Sequence, residues 1–213
     1  TMYEADGLFQ SQEEINNHRI DQDGQNNTTI APGDIKYVDK NGDKKIDAND
    51  RIYVKNSSHP DMDLGLKFNI SYNGFFINAS FQGEHGYKQN LKEYYTLENS
   101  TLQKFQRYHL YETWTPENPN ARYPRLKFAT SNDNNRKEST FWIEDCSFIR
   151  LKSLNFGYQF PKKWIKKLHL SSASIAFQAS NVFTLSNLKN MDPESLRGYP
   201  IQKSYGATLN LSF

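Results

Sequence analysis

Cysteine is almost absent from this 213-residue chain, and the lone Cys146 excludes an internal disulfide while saying little about compartment. Net charge is nearly absent too: 26 basic residues stand against 24 acidic ones, so no nucleic-acid partner and no membrane-surface attraction follows from charge. No window approaches about 18 consecutive apolar residues, which excludes a membrane-spanning helix. That shortage does not exclude a membrane, because a barrel strand alternates and averages out as polar. The amino end, TMYEADGLFQSQEE, lacks a basic-then-apolar signal segment, the pattern expected of a processed chain or of part of a longer one.

What is present is aromatic. With 14 Phe and 13 Tyr in a chain only 36% hydrophobic, the apolar residues must be concentrated on faces. Period-two segments supply those faces. The carboxyl end, SYGATLNLSF, sets Tyr205, Ala207, Leu209, Leu211 and Phe213 against Gly206, Thr208, Asn210 and Ser212. In LGLKFNISYNGFFINASFQG, Asn73-Gly74 is a two-residue hairpin signal between two alternating runs. LNFGYQFP and SSASIAFQASNVFTL alternate likewise, and Ile149 and Leu151 fall out of phase with Leu154, which predicts a bulge or a change of environment near Ser153.

Five strands are therefore expected, at 62–72, 75–83, 147–160, 173–185 and 204–213. Their polar faces are Asn, Ser, Gln, Thr and Gly, with Lys67 nearly the sole charge. A soluble sandwich usually carries Lys, Glu and Asp on its wet face. Small neutral polar residues suit a barrel interior better, and Tyr and Phe near the strand ends suit interfacial girdles. Short links at Asn73-Gly74 and PKKWIKKLHLSS alternate with long ones at 84–146 and 186–203, as in an outer-membrane barrel with tight periplasmic turns and large outer loops. The expected organisation is an extracellular loop region at 1–61, then the last five barrel strands across 62–213. Five strands close no wide barrel, so the remaining strands belong to other sequence.

The stretch DKNGDKKIDAND, residues 39–50, places oxygen ligands at Asp39, Asn41, Asp43, Asp47 and Asp50, positions 1, 3, 5, 9 and 12 of an EF-hand-type calcium loop. Lys45 would add its backbone carbonyl at position 7. Position 6 is Lys44 rather than the left-handed glycine of that pattern, and Gly42 stands nearby. The same residues also describe a solvated, charged turn. The flanks, GDIKYVD and RIYV, are β-prone, so a calcium ion here would staple strands rather than drive a helical sensor.

Several segments together, GLFQSQEEINNH, PGDIKYVDKNGDKKIDANDR, WTPENPNARYPRL, STFWIEDCSFIRLKSLNFGYQFP, SNVFTLS, MDPE and GYPIQKSYGATLNLSF, resemble the carboxy-terminal part of the SusC/RagA family of TonB-linked outer-membrane transporters. The resemblance covers nearly the whole chain in order. It implies an all-β transmembrane barrel of about 22 strands with an amino-terminal plug, powered by TonB through segments outside this sequence. It also implies a SusD-like surface lipoprotein acting as a lid, uptake of oligosaccharides or peptides too large for porins, and residence in the outer membrane of a Gram-negative bacterium. The family often has Gly at the positions of Lys44 and Cys146.

In the long connection, QNLKEYYTLENSTLQKFQRYHLYETW suits an amphipathic helix or two. Tyr94, Tyr95, Tyr108, Trp114 and Tyr123 either stack on sugar rings or seat the lid, or else form the small aromatic core that a large loop needs. TPENPNARYP holds three prolines that stiffen the loop. Nothing points to an enzyme: His18, His59, His85, His109 and His169 lack ligand spacing and read as exposed loop residues, and Glu144 and Asp145, adjacent in a strand, face opposite ways. Arg150 and Lys152 are expected to line the outer lumen or meet headgroup phosphates. Lys162, Lys163, Lys166 and Lys167, with Trp164, would anchor a periplasmic turn. The competing class is a soluble, calcium-stabilised β-sandwich that binds carbohydrate; alternating loop lengths argue against a third class, a pilin-like surface protein.

Overall fold

The computed structural model describes residues 1–54, 59–96, 107–127, 133–196 and 198–213, apart from the side chains of Tyr94 and Thr96. The chain divides into two compact units, Thr1–Asn56 with Gln89–Glu144, and Ser57–Lys88 with Asp145–Phe213. The connection expected at 84–146 thus contributes most of its length to the same unit as the amino-terminal segment.

In the first unit, β1 (Ala5–Leu8) and β2 (Ile35–Tyr37) pair antiparallel across an irregular register. Between them stands α1 (Gln12–Asn17), which begins because the Ser11 hydroxyl accepts from Glu14 N at 3.1 Å. Ile15 is its buried residue and packs with Phe9 and Ile30. Among the described residues no strand pairs with the other edge of β2, and amide side chains do the pairing: Gln22 Oε1 accepts from Tyr37 N at 2.6 Å, and Asn135 Oδ1 accepts from Ile35 N at 2.8 Å. Buried backbone groups must be satisfied by something, and here the something is Gln and Asn. The main core of this unit joins Tyr3, Leu8, Ile35, Tyr37, Ile46, Tyr95, Trp114 and Trp142. Burying each large apolar side chain contributes about 1.5–3 kcal/mol. Two short helices, α2 (Lys92–Thr96) and α3 (Arg107–Tyr111), carry part of it. They occupy the ends of the stretch expected to be amphipathic; Leu102 and Phe105 lie outside the described residues.

The second unit holds the long antiparallel strands β3 (Met62–Tyr72) and β4 (Phe75–His85). The chain leaves it along β5 (Lys88–Asn90) and returns along β6 (Ile143–Asp145), which pair with each other. Then follow β7 (Phe148–Gln159), β8 (Ser172–Ser180), the short β9 (Thr184–Ser186) and β10 (Ser204–Ser212). The sheet order is β10-β8-β7-β4-β3, with β9 also on β7, so each long strand lies beside the next long strand in sequence. The two-residue turn is as expected: Tyr72 pairs with Phe75, and Asn73 and Gly74 adopt φ of 49° and 86°. The bulge is also present, as a register shift that leaves Lys152 unpaired between Leu151, opposite Phe81, and Ser153, opposite Ser80. The strand expected at 173–185 is instead interrupted, because Asn181 turns left-handed at φ 53°. The basic link is α4 (Lys162–Ile165) followed by one 3₁₀ turn.

Candidate functional site

Register decides which side chains share a face, and on the long sheet it sorts them by polarity. One row runs Asn69, Asn78, Asn155, Gln178, Gly206, and the next runs Lys67, Ser80, Ser153, Ser180, Ser204. Ser80 and Ser153 share a hydroxyl hydrogen bond at 2.6 Å. The opposite face carries Phe68, Ala79, Leu154, Ala179 and Tyr205, then Ile70, Ile77, Phe156, Phe177 and Ala207. Phe68 and Phe156 are each 44% exposed and Leu209 61%, so this apolar face is uncovered. A sandwich would bury it. A contiguous exposed apolar face of this size suits a lipid environment.

The bulge explains Arg150. Counting back from Ser153 without it would aim Arg150 at the apolar side; the extra residue returns it to the polar face, opposite Gln82. Arg150 is only 2% exposed, and its Nη2 donates to Asp192 Oδ1 at 2.6 Å while Nη1 lies 3.2 Å from Glu194 Oε2. Lys152 Nζ reaches Glu194 Oε1 at 2.6 Å. These two cations therefore meet the carboxylates of MDPE rather than headgroup phosphates. Burial pushes the Asp192 carboxyl up, but Arg150 and the N–H groups of Glu194 and Ile201 outweigh it and hold the group below the usual carboxylate range.

In the loop at 39–50, Asp39 accepts from Gly42 N at 2.7 Å and from Lys44 N at 2.8 Å, and Asp43 accepts from Lys45 N at 2.9 Å. Asn41 accepts from Asp43 N at 2.9 Å, and Asp47 accepts from Asn49 N at 2.7 Å. Asp50 is buried and takes Lys40 N and Asp47 N, each at 2.8 Å, with the Asp39 side chain as a further neighbour. Burial raises the Asp50 carboxyl; those contacts outweigh burial and leave it below the ordinary value. Lys44 adopts φ 66°, the left-handed conformation that the position demands of a glycine. Ile46 is buried, and its N–H donates to Asp21 O at 2.9 Å. Among the described residues, no three His, Cys, Asp or Glu side chains converge as a metal cage. The loop supplies the donor types and the turn for calcium, while its carboxylates as placed hold backbone N–H groups.

Of the aromatic candidates, Tyr95 and Trp114 belong to the core of the first unit, and Tyr108 and Tyr123 pack against it. Tyr95 stacks on Tyr123 at 4.3 Å and lies 5.2 Å from both His109 and Trp142, and its hydroxyl donates to Pro124 O at 2.8 Å. Trp114 is buried and donates to Gln10 Oε1 at 3.0 Å. It lies so flat on Gly33, at φ 88°, that a Cβ there would come within 2.5 Å of the indole. Among the described residues Tyr95 and Trp114 are thus buried packing residues, whereas Tyr108 and Tyr123 are half-buried. Tyr94 stands in α2, its side chain outside the described residues. His109, expected at the surface, is fully buried with Nε2 3.0 Å from Tyr95 O.

Sequence reasoning missed Asp34. It is fully buried, is gripped by Arg125 Nε at 2.8 Å and Nη2 at 3.1 Å, and accepts from Asn135 Nδ2 at 2.8 Å. The signal was limited to its place after Pro32-Gly33, since partners about a hundred residues away leave no mark in local pattern.

No family model matches the chain. The TonB-dependent receptor P26 of Formosa agariphila is 29% identical over 191 residues, which are 88% of this chain and 18% of that receptor. TonB-dependent receptor SusC of Bacteroides thetaiotaomicron is 24% identical over 188 residues, 85% of this chain and 18% of that receptor. Sequence and fold then meet: the RagAB peptide transporter superposes with a TM-score of 0.65 at 24% identity, over all of this chain and 22% of that one. The chain resembles the SusC/RagA TonB-dependent receptors. It spans less than a fifth of the length of the curated relatives it matches. The fold follows from the RagAB likeness: the long sheet is a portion of a large antiparallel barrel, and β3 and β10 are the edges of that portion. These relatives are a TonB-dependent receptor and a peptide importer.

Proposed function

We propose that this chain is part of an outer-membrane importer of a Gram-negative bacterium. Its whole receptor would take up oligosaccharides or peptides, driven by TonB and covered by a SusD-like lipoprotein. The observation that carries this reading is the register-imposed division of the sheet into an exposed apolar face and a face of Asn, Ser, Gln and Gly. The first would meet lipid and the second would line the channel. Residues 1–56 and 89–144, with the connection at 186–203, would stand outside the cell, where Tyr108 and Tyr123 keep enough exposed edge to touch the lid or the solute. Deleting the receptor should abolish growth on one class of oligomer while growth on its monomer persists, and a surface lipoprotein should copurify with the receptor from detergent extracts. Unchanged growth on every oligosaccharide and peptide tested, together with no copurifying lipoprotein, would refute the reading.

Calcium belongs to the same proposal. Asp39, Asn41, Asp43, Asp47 and Asp50 would hold it with the Lys45 carbonyl. Calorimetry should show calcium binding that Asp39→Ala or Asp43→Ala weakens at least tenfold; absence of any heat with calcium removes the ion from the account.

A further inference from the structure

The connection from β9 to β10 is expected to be a long outer loop, and part of it is fastened to the sheet. Asp192 is the fastening point. Its Oδ1 takes Arg150 Nη2 at 2.6 Å and Glu194 N at 3.0 Å, and its Oδ2 takes Ile201 N at 3.1 Å. One carboxylate thus joins both arms of the loop to the strand. Glu194 adds a second attachment through Arg150 and Lys152. Beneath the guanidinium, 5.7 Å away, lies the ring of Phe148, itself 3% exposed, on the same face of β7. That face is the one with Gln82, Ser153 and Asn155. The attachment therefore bends the loop over the polar side of the sheet, and the bulge at Lys152 is what makes it reachable, since a regular strand would aim Arg150 the other way.

An exposed ion pair would hold nothing firmly in water. This one is buried, has two carboxylates on one loop against two cations on one strand, and includes a planar guanidinium that spans both acids. We propose that Arg150 is a positioning residue that straps the 186–203 connection across the channel wall, so that the strap narrows the outer end of the pore and limits the size of solute that enters. This rests on the reading of the polar face as a channel wall.

The test uses the whole receptor, purified in detergent, with single cysteines introduced as reporters; Cys146 is fully buried and stays as background. Gln178→Cys reports the polar face and Ile70→Cys the apolar one. With the strap intact, Gln178→Cys should react with a small polar maleimide but slowly with a maleimide on a 5-kDa polyethylene glycol chain (about 5 kDa, chosen to exceed a pore of the size typical of plugged barrels). Arg150→Ala should raise the large-to-small labelling ratio at least about fivefold, and Asp192→Asn with Glu194→Gln should do the same from the loop side. Arg150→Lys, which keeps a cation, should fall between. Heat-modifiable gel mobility confirms a closed barrel in each variant, and if Arg150→Ala does not fold, the loop-side pair decides. A ratio unchanged in correctly folded loop-side variants overturns the strap alone. Failure of Gln178→Cys to react with the small reagent while Ile70→Cys reacts freely overturns the channel reading as well.

Discussion

Lys137 shows how much a single residue can depend on distant chain. Its amine donates to Gln22 O at 2.6 Å and sits 5.5 Å and 5.4 Å from the rings of Tyr3 and Tyr37. Burial pulls its pKa down from 10.5 to about 8, against the opposing pull of Asp23, Asp21 and Asp50. Between about pH 8 and 10.5 the unfolded chain keeps a proton that the folded one has lost, so stability of this unit should rise with pH across that window. Lys137→Met should abolish the rise, as measured by urea midpoints followed on the buried Trp114 and Trp142. Asp23 runs the other way. Burial raises its carboxyl, but bonds from Thr29, Gln25 and Asn27 bring it down to about 2, so its contribution is complete above the usual 3.8 and is lost as pH falls through about 2. None of this was legible in sequence. A lysine in NDNNRKEST reads as a solvated charge, and only the folded chain places it between two tyrosines. Likewise Arg150 and Asp192 are 42 residues apart, and neither names the other.

At the scale of elements, far more was legible, because alternation and turn chemistry are local. Asn73-Gly74 specified its hairpin, and the reversed phase of Ile149 and Leu151 pointed to a bulge or a change of environment, which the register resolves as a bulge. Gly74→Val should be poorly tolerated: φ is 86°, and an added Cβ would lie 2.8 Å from Gln159 O. A cost of about 1–3 kcal/mol is expected from the backbone strain, read as a lower denaturant midpoint for the folded barrel. The two faces of β3 give a sharper contrast. Phe68→Lys should destabilise the receptor in lipid vesicles by about 2–4 kcal/mol if it reaches the bilayer centre, whereas Asn69→Lys, one residue away on the polar face beside Lys67, should change the folding equilibrium far less. Equal penalties at 68 and 69 would mean that the faces are not differently solvated. The break at Asn181 escaped notice because Asn in a strand carries no fixed signal; it takes the left-handed conformation only when tertiary context asks for it.

For the whole molecule, the likeness to SusC and RagAB and the polarity of the sheet point the same way. If the apolar face does meet lipid, Phe148, Arg150 and the strap stand on the side away from it, and a receptor lacking residues 186–203 should still insert while admitting larger probes. Insertion is checked by heat-modifiable mobility and admission by the cysteine labelling above. By itself the sequence determined the class of fold, because period-two alternation, neutral polar faces and the order of short and long links are properties of neighbouring residues. Tertiary structure alone decided which side chains meet: that Tyr95 and Trp114 serve a core, that Asp34 joins segments about a hundred residues apart, and that Arg150 turns inward to hold a loop. The physical reason is range. Backbone periodicity is set within a few residues, whereas burial and ion pairing depend on what the closed chain brings alongside.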